Sequence, residues 1–254
     1  QIFQHLDGLV TAPVAIALYK KNITAYILEH KRIGLTELSK TFQANEGYLN
    51  IALRTLASQG FLEYEVNNIE NTVTVQTNEK SAYAFSLFPL YQDVVSLLNE
   101  TQLFTSVRIA TNFITQLEVI FSKYRENFTI QFSNDSQEKA LQEQVLAHIE
   151  GYLVGPIVVS LGMTGMFHKY FMETSFRAEE FHREPEVFKV ILDFFTHLNW
   201  FTEKNGNYQF TETGLFFAKR ATAYGVTVSY LPMFKNMETL LFGNPNVLRD
   251  IAAH

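Results

Sequence analysis

Residues 199–214, NWFTEKNGNYQFTETG, place two short alternating segments on either side of Asn205-Gly206. That dipeptide is favoured in a two-residue hairpin turn because both turn positions need positive φ. Immediately upstream, EPEVFKVILDFFTHL carries apolar residues three and four apart, the period of a helix with one buried face. A helix running straight into a β-hairpin has few folding options. The leading one is the helix-and-wing head of a winged helix-turn-helix, a shape common among proteins that bind DNA.

The pattern occurs twice. VTAPVAIALYKKNITAYI sets against YLVGPIVVSLGMTGMFHKYF, with Pro13 and Leu18 matching Pro156 and Leu161. LTELSKTF and SFRAEEFH follow, each predicted to be a short amphipathic helix. Leu49, Ile51, Leu53, Leu56 and Phe61 then fall against Phe188, Val190, Leu192, Phe195 and Trp200, and an alternating strand, VTVQT or YQFTE, closes each copy. The fold class expected is mainly α: two winged-helix-like units with short β-wings, joined by a helical segment. The first unit spans 1–88, a helical connector 89–149, the second unit 150–225, and a linker helix 226–254. Between the units, SAYAFSLFPLYQDVVSLLNE, SVRIATNFITQLEVIFSKYREN and SNDSQEKALQEQVLAHIEGYLVG read as helices, the last with Asn134, Asp135 and Ser136 at N-cap positions. Near the C-terminal end, the chain reads as helical between Pro232 and Gly243.

The chain has 254 residues, enough for one large or two small domains with a real core. Hydrophobic residues at 47% against 18% charged exclude a disordered chain, and 23 phenylalanines imply thick aromatic packing. Without cysteine there is no disulfide frame, zinc ribbon or thiol nucleophile, which fits a reducing cytoplasm. The N-terminus has no signal-peptide pattern and no initiator Met, as expected of a piece of a longer protein. The longest apolar run, Tyr152–Phe167, falls short of the roughly 20 residues that cross a bilayer. A cytoplasmic protein without membrane contact is the expectation.

Charge opposes the DNA reading. The formal net charge is −6, and duplex DNA repels an acidic surface unless a basic stripe is segregated on it. The first recognition-helix candidate, Glu46–Gln59, offers only Arg54 against Glu46. The second, Pro185–Leu198, has Lys189 against Glu186 and Asp193.

A search for chemistry finds no assembled site. Glu179 and His182 have the spacing of half a di-iron motif, but no second Glu-x-x-His exists, so a solvated charged helix face is expected. The glycine pair of GMTG, Gly162 and Gly165, lacks a preceding strand and reads as close helix packing. His148, among apolar neighbours with Tyr152 nearby, reads first as a hydrogen-bonded core or interface histidine and second as a pocket candidate. Tyr224, Tyr230, Met233, Phe234 and Met237 crowd the C-terminal end and read either as core or as the wall of a substrate pocket. No residue is assigned to catalysis or to a metal.

Tyr208, Phe210, Thr211 and Gly214 form a Y-x-F-T-x-x-G run, and this second unit resembles the winged-helix N-terminal domain of S-adenosylmethionine-dependent O-methyltransferases. The doubled unit, with HIEGYLVGPIVVSLGMTGMF and YLPMFKNMETLLFGNP, is similar to the lid or adaptor region of methyltransferases in polyketide-synthase loading modules. These are the iron-dependent C-methyltransferases of the apratoxin and saxitoxin kind. The resemblance implies a Rossmann-like core beyond this region that binds S-adenosylmethionine and iron, and an acyl substrate on a carrier protein. It implies no cofactor in this chain, a lid role for the residues from Tyr224 to Met237, and no nucleic-acid partner. A winged-helix transcription regulator and a docking or dimerisation module, the latter a homodimer, are the alternatives.

Overall fold

The first unit opens with α1 (Ile2–Lys20) and α2 (Ile23–His30), then β1 (Arg32–Gly34), α3 (Leu35–Phe42), α4 (Glu46–Ser58), β2 (Glu63–Asn67) and β3 (Thr72–Gln76). Its strands form an antiparallel sheet ordered β1-β3-β2, with Ile33 and Tyr64 both opposite Val75. This is winged-helix topology, and the three-residue β1 is too short to be visible as an alternating run in the sequence. The chain continues through α5 (Ser81–Leu87), a 3-10 turn (Phe88–Tyr91) and α6 (Gln92–Leu97), so the helix expected over this stretch is split around Pro89. The computed structural model describes residues 2–97, 116–123 and 132–248. Within the next expected helix, α7 covers 116–123, and the remainder lies outside the described residues.

The second unit begins with α8 (Ser136–Met163), whose N-cap Asp135 accepts hydrogen bonds from the N–H groups of Gln137 and Glu138, both at 2.9 Å. Helix α8 runs unbroken through residue 150. There follow α9 (Lys169–Glu173), α10 (Pro185–His197), β4 (Phe201–Lys204) and β5 (Asn207–Phe210), and then α11 (Glu212–Ala218) and α12 (Thr222–Ser229). The hairpin turns on Asn205 and Gly206 at φ 54° and 79°. Thr211 caps α11 by accepting from the Gly214 N–H at 3.0 Å.

The structure corrects three local readings. SFRAEEFH is not an amphipathic helix: Phe176 pairs its backbone N–H and C=O with Tyr208 at 2.9 and 2.8 Å, which holds the segment extended, and only Ala178–Glu180 forms a 3-10 turn. Phe176 beside β5 thus stands where β1 stands beside β3. The C-terminal helix is divided into α13 (Leu231–Phe234) and α14 (Met237–Phe242). Gly165 ends α8 with φ 84° rather than packing a helix, because the Met166 N–H turns back to the Leu161 carbonyl at 3.2 Å.

The most extensive contact in the molecule is α1 against α8. Both are apolar on nearly every side, as befits core helices. Each passes the length and hydropathy test for a membrane span, but 61% and 67% of the respective windows are buried within the fold, which is compatible with a soluble protein. At the crossing, the sequences His5-Leu-Asp-Gly8 and His148-Ile-Glu-Gly151 meet reciprocally. A Cβ on Gly8 would strike the His148 backbone, and a Cβ on Gly151 would strike the His5 backbone. The duplication is therefore also a pseudo-twofold axis, with backbone touching backbone at its centre.

Overpacking against a backbone leaves no side chain to yield, so Gly8→Ala and Gly151→Ala are each expected to cost about 3 kcal/mol or more of stability. Gly47→Ala, whose Cβ would meet nothing within 4 Å, should be neutral or slightly stabilising. Urea unfolding of the three variants checks this.

Candidate functional site

The crossing positions two buried histidines, each directed at the far end of the other repeat. His5 Nδ1 lies 2.7 Å from the Tyr224 hydroxyl, and Nε2 lies 3.1 Å from the Glu150 carboxylate. His148 Nδ1 lies 2.7 Å from the Tyr91 hydroxyl, and Nε2 lies 2.9 Å from the Gln59 side-chain oxygen. Carboxylate and amide oxygens only accept, so in both histidines Nε2–H donates, and Nδ1 of neutral His148 accepts from Tyr91. Tyr91 follows the first wing and Tyr224 the second, which makes the two networks pseudo-equivalent. Burial, with a smaller push from His5, lowers the His148 pKa to about 4, and burial raises the Tyr91 and Tyr224 hydroxyls. His148 and the two tyrosines are held neutral, and the ring nitrogens of both histidines have hydrogen-bond partners. They lock two units together and do not present an acid–base pair to a substrate.

The seven candidate wall residues do not converge. His148, Tyr152 and Tyr224 are buried in the interior. The Tyr152 hydroxyl and Thr11 Oγ1 have no hydrogen-bond partner among the described residues. Tyr230 is 52% exposed, with its ring 6.3 Å from that of Phe234, while Met233 is half-buried beside them. Phe234 and Met237 turn toward the first unit and line a cleft of about 340 Å³ with Pro13, Ile16 and Lys20 of α1. A larger cleft, about 640 Å³, contains none of the seven. It lies between the C-terminal end of α8 and α11–α12, walled by Val158, Val159, Met163 and Gly225 with Lys219 and His168 at its edge. Its mostly apolar lining and size suit a hydrophobic group. Each cleft is made where distant helices meet, so residue spacing along the chain does not outline it.

His182 is buried rather than solvated: its ring stacks on Phe188 at 5.5 Å and its Nδ1 accepts from the Glu184 N–H at 2.9 Å. Glu179 stays exposed and pairs with Arg177 at 3.4 Å. Among the described residues no cluster of three or more His, Asp or Glu side chains could hold a metal ion.

Two of the cations at and near the wings are paired with acids. Arg32 pairs with Glu65 at 2.8 Å, and Lys189 lies 3.9 Å from Glu186. The N-terminus of α4, the end that reads bases in a helix-turn-helix, is occupied by the chain itself. The Asn45 N–H donates to the Leu241 carbonyl at 2.7 Å, and its side-chain amide donates to the carbonyls of Leu240 and Gly243 at 2.7 and 3.0 Å.

Comparison with known families matches residues 1–64 to the AprA N-terminal domain and residues 150–244 to the AprA winged helix domain. Together the two matches support an AprA-like methyltransferase N-terminal region. No curated protein matches the chain.

Two measurements test the buried networks. The unfolded chain binds a proton at His148 near pH 6.5 and the folded chain only near pH 4. The histidine's contribution is therefore complete above pH 6.5 and declines as pH falls toward 4. Between pH 7 and pH 4.5 this group should cost about 2.5 kcal/mol of stability, and His148→Gln should remove that part of the pH dependence in urea titrations. Tyr152→Phe deletes an unpartnered buried hydroxyl and is expected to raise stability by about 1 kcal/mol in the same assay.

Proposed function

We propose that this chain is a non-catalytic lid and adaptor region of an S-adenosylmethionine-dependent C-methyltransferase of polyketide biosynthesis, which encloses the acyl-substrate pocket of an adjoining catalytic core. The observation that carries the reading is the succession of an AprA N-terminal domain and an AprA winged helix domain in one chain. The interior supports it, because the buried histidines and tyrosines are spent on joining the two units. In this reading S-adenosylmethionine and iron belong to the core. The partners are that core and an acyl carrier protein, in the cytoplasm.

The lid's task is to exclude water, which strengthens electrostatic interactions in a closed site and suppresses side reactions. Val226, 70% exposed on α12, with Tyr230 and half-buried Met233, provides an outward apolar surface for it. The winged-helix regulator is the second reading, favoured by topology alone. The pairing of Arg32 on the first wing and of Lys189 on α10, with the covered N-terminus of α4, opposes it.

In the complete methyltransferase, Tyr230→Asp combined with Met233→Asp should slow methyl transfer to a malonyl-loaded carrier protein at least tenfold, equivalent to about 1.4 kcal/mol, with the melting temperature unchanged. Wild-type turnover in that variant would refute the lid role. Saturable S-adenosylmethionine binding by this chain alone would contradict its non-catalytic standing, and salt-sensitive retardation of duplex DNA would favour the regulator.

A further inference from the structure

The pseudo-twofold axis relates more than the two wings. Beyond Tyr224 the chain crosses to the first unit, where Phe234 and Met237 line a groove with Ile16 and Lys20 of α1 and Gln92 of α6. The register that pairs His5 with His148 pairs Ile16 with Val159 and Lys20 with Met163, and the register that pairs Tyr91 with Tyr224 pairs Gln92 with Gly225. Val159, Met163 and Gly225 all line the larger cleft of the second unit. The two clefts are thus the same groove, once in each repeat.

They differ in what enters them. The first receives an aromatic ring and a thioether, Phe234 and Met237, from the chain's own C-terminal helices. Among the described residues, no such segment lines the second. There Met163 is 85% exposed, and a Cβ on Gly225 would meet no atom within 4 Å. The volume, about 640 Å³, falls within the range of about 300–1,000 Å³ usual for ligand sites, and the wall is mostly apolar.

The polar edge of this cleft has one sign. Lys219 and His168 stand at its rim, and no Asp or Glu lines it. Lys219 is exposed and forms no ion pair among the described residues. Its neighbour Arg220 is turned away to Phe216, with the guanidinium carbon 3.9 Å from the ring centre and Nη1 donating to the Phe216 carbonyl at 3.0 Å. His168 Nδ1 accepts from the Tyr170 N–H at 3.4 Å, so the neutral ring carries its proton on Nε2 and can donate. An apolar hollow with an ammonium at its edge matches a ligand that is apolar at one end and anionic at the other. A single lysine matches a single negative charge, through a charge-assisted hydrogen bond. We propose that the cleft between α8 and α12 binds a free medium-chain carboxylate, with the chain against Val158, Met163 and Gly225 and the carboxylate at Lys219. The apolar chain takes the place that Phe234 and Met237 take in the first groove. The inference is independent of the lid role.

Titration with decanoate, kept below the concentration at which it forms micelles, tests this on the chain with isotope-labelled methionine methyl groups read by NMR. Decanol is the uncharged control. Met163 reports on this cleft and Met237 on its twin. Decanoate should shift the Met163 methyl signal saturably and leave that of Met237 in place. Gly225→Phe fills the cleft where a Cβ meets nothing, and should weaken decanoate by about tenfold with the melting temperature unchanged. Lys219→Gln, on the exposed rim, should weaken decanoate by about threefold and leave decanol unchanged. A Met163 signal that does not saturate, equal shifts at Met163 and Met237, undiminished binding by a folded Gly225→Phe, or equal loss of decanoate and decanol in Lys219→Gln would each overturn the proposal.

Discussion

Everything in this structure follows from two helices that touch through their backbones. Gly8 and Gly151 allow α1 and α8 to approach until each glycine lies against the other helix's histidine backbone. That approach places the two histidines on opposite sides of a pseudo-twofold axis and directs each ring into the other repeat. The tyrosines that follow the wings then have partners at 2.7 Å, and the halves become one body instead of two beads on a linker. A side chain at either glycine would separate the helices, and both networks would lose their geometry together. The crossing is a single constraint with several consequences.

One consequence concerns chemistry. A histidine in a protein without cysteine is the natural suspect for catalysis, yet His148 is desolvated and held neutral with both ring nitrogens occupied. Its partners are structural, and among the described residues no cluster of three or more His, Asp or Glu side chains could hold a metal ion. On the first unit the surface used by helix-turn-helix proteins is closed by the chain's own α14, whose last carbonyls occupy Asn45. On the second unit the corresponding helix begins with Glu184, Pro185 and Glu186, which repels phosphate.

Much of this fold was legible in the sequence, for identifiable reasons. Asn205-Gly206 specified its turn because few dipeptides tolerate two positive φ values, and Asp135 specified the start of α8 because an N-cap needs a short acceptor side chain. Matching Pro13 to Pro156 found the true register of the duplication. Its most informative part, HLDG against HIEG, precedes those prolines and carries no periodic signal, because α1 is too uniformly apolar to announce which face it buries. SFRAEEFH misled because its composition suits a helix while Phe176 is held extended by Tyr208, a residue far along the chain. The proposed wall residues scattered for a related reason. Helical spacing of Tyr, Met and Phe says that one face is buried, but not against what, so Tyr224 went to the interior, Phe234 and Met237 to the first unit, and Tyr230 to solvent.

The two repeats have diverged at the residues that border their clefts. In a duplicated pair with equivalent surroundings, substitutions at equivalent positions report what each copy must now accommodate. Lys20 and Gln92 border a groove that is also lined by Phe234 and Met237. Met163 and Gly225 border its twin, where one offers an adaptable apolar surface and the other removes bulk. A groove that kept Lys and Gln could not admit a large hydrophobic group without desolvating polar atoms, whereas one that changed to Met and Gly can. The fold thus covers one of these clefts with its own C-terminal helices and leaves the other apolar and accessible among the described residues.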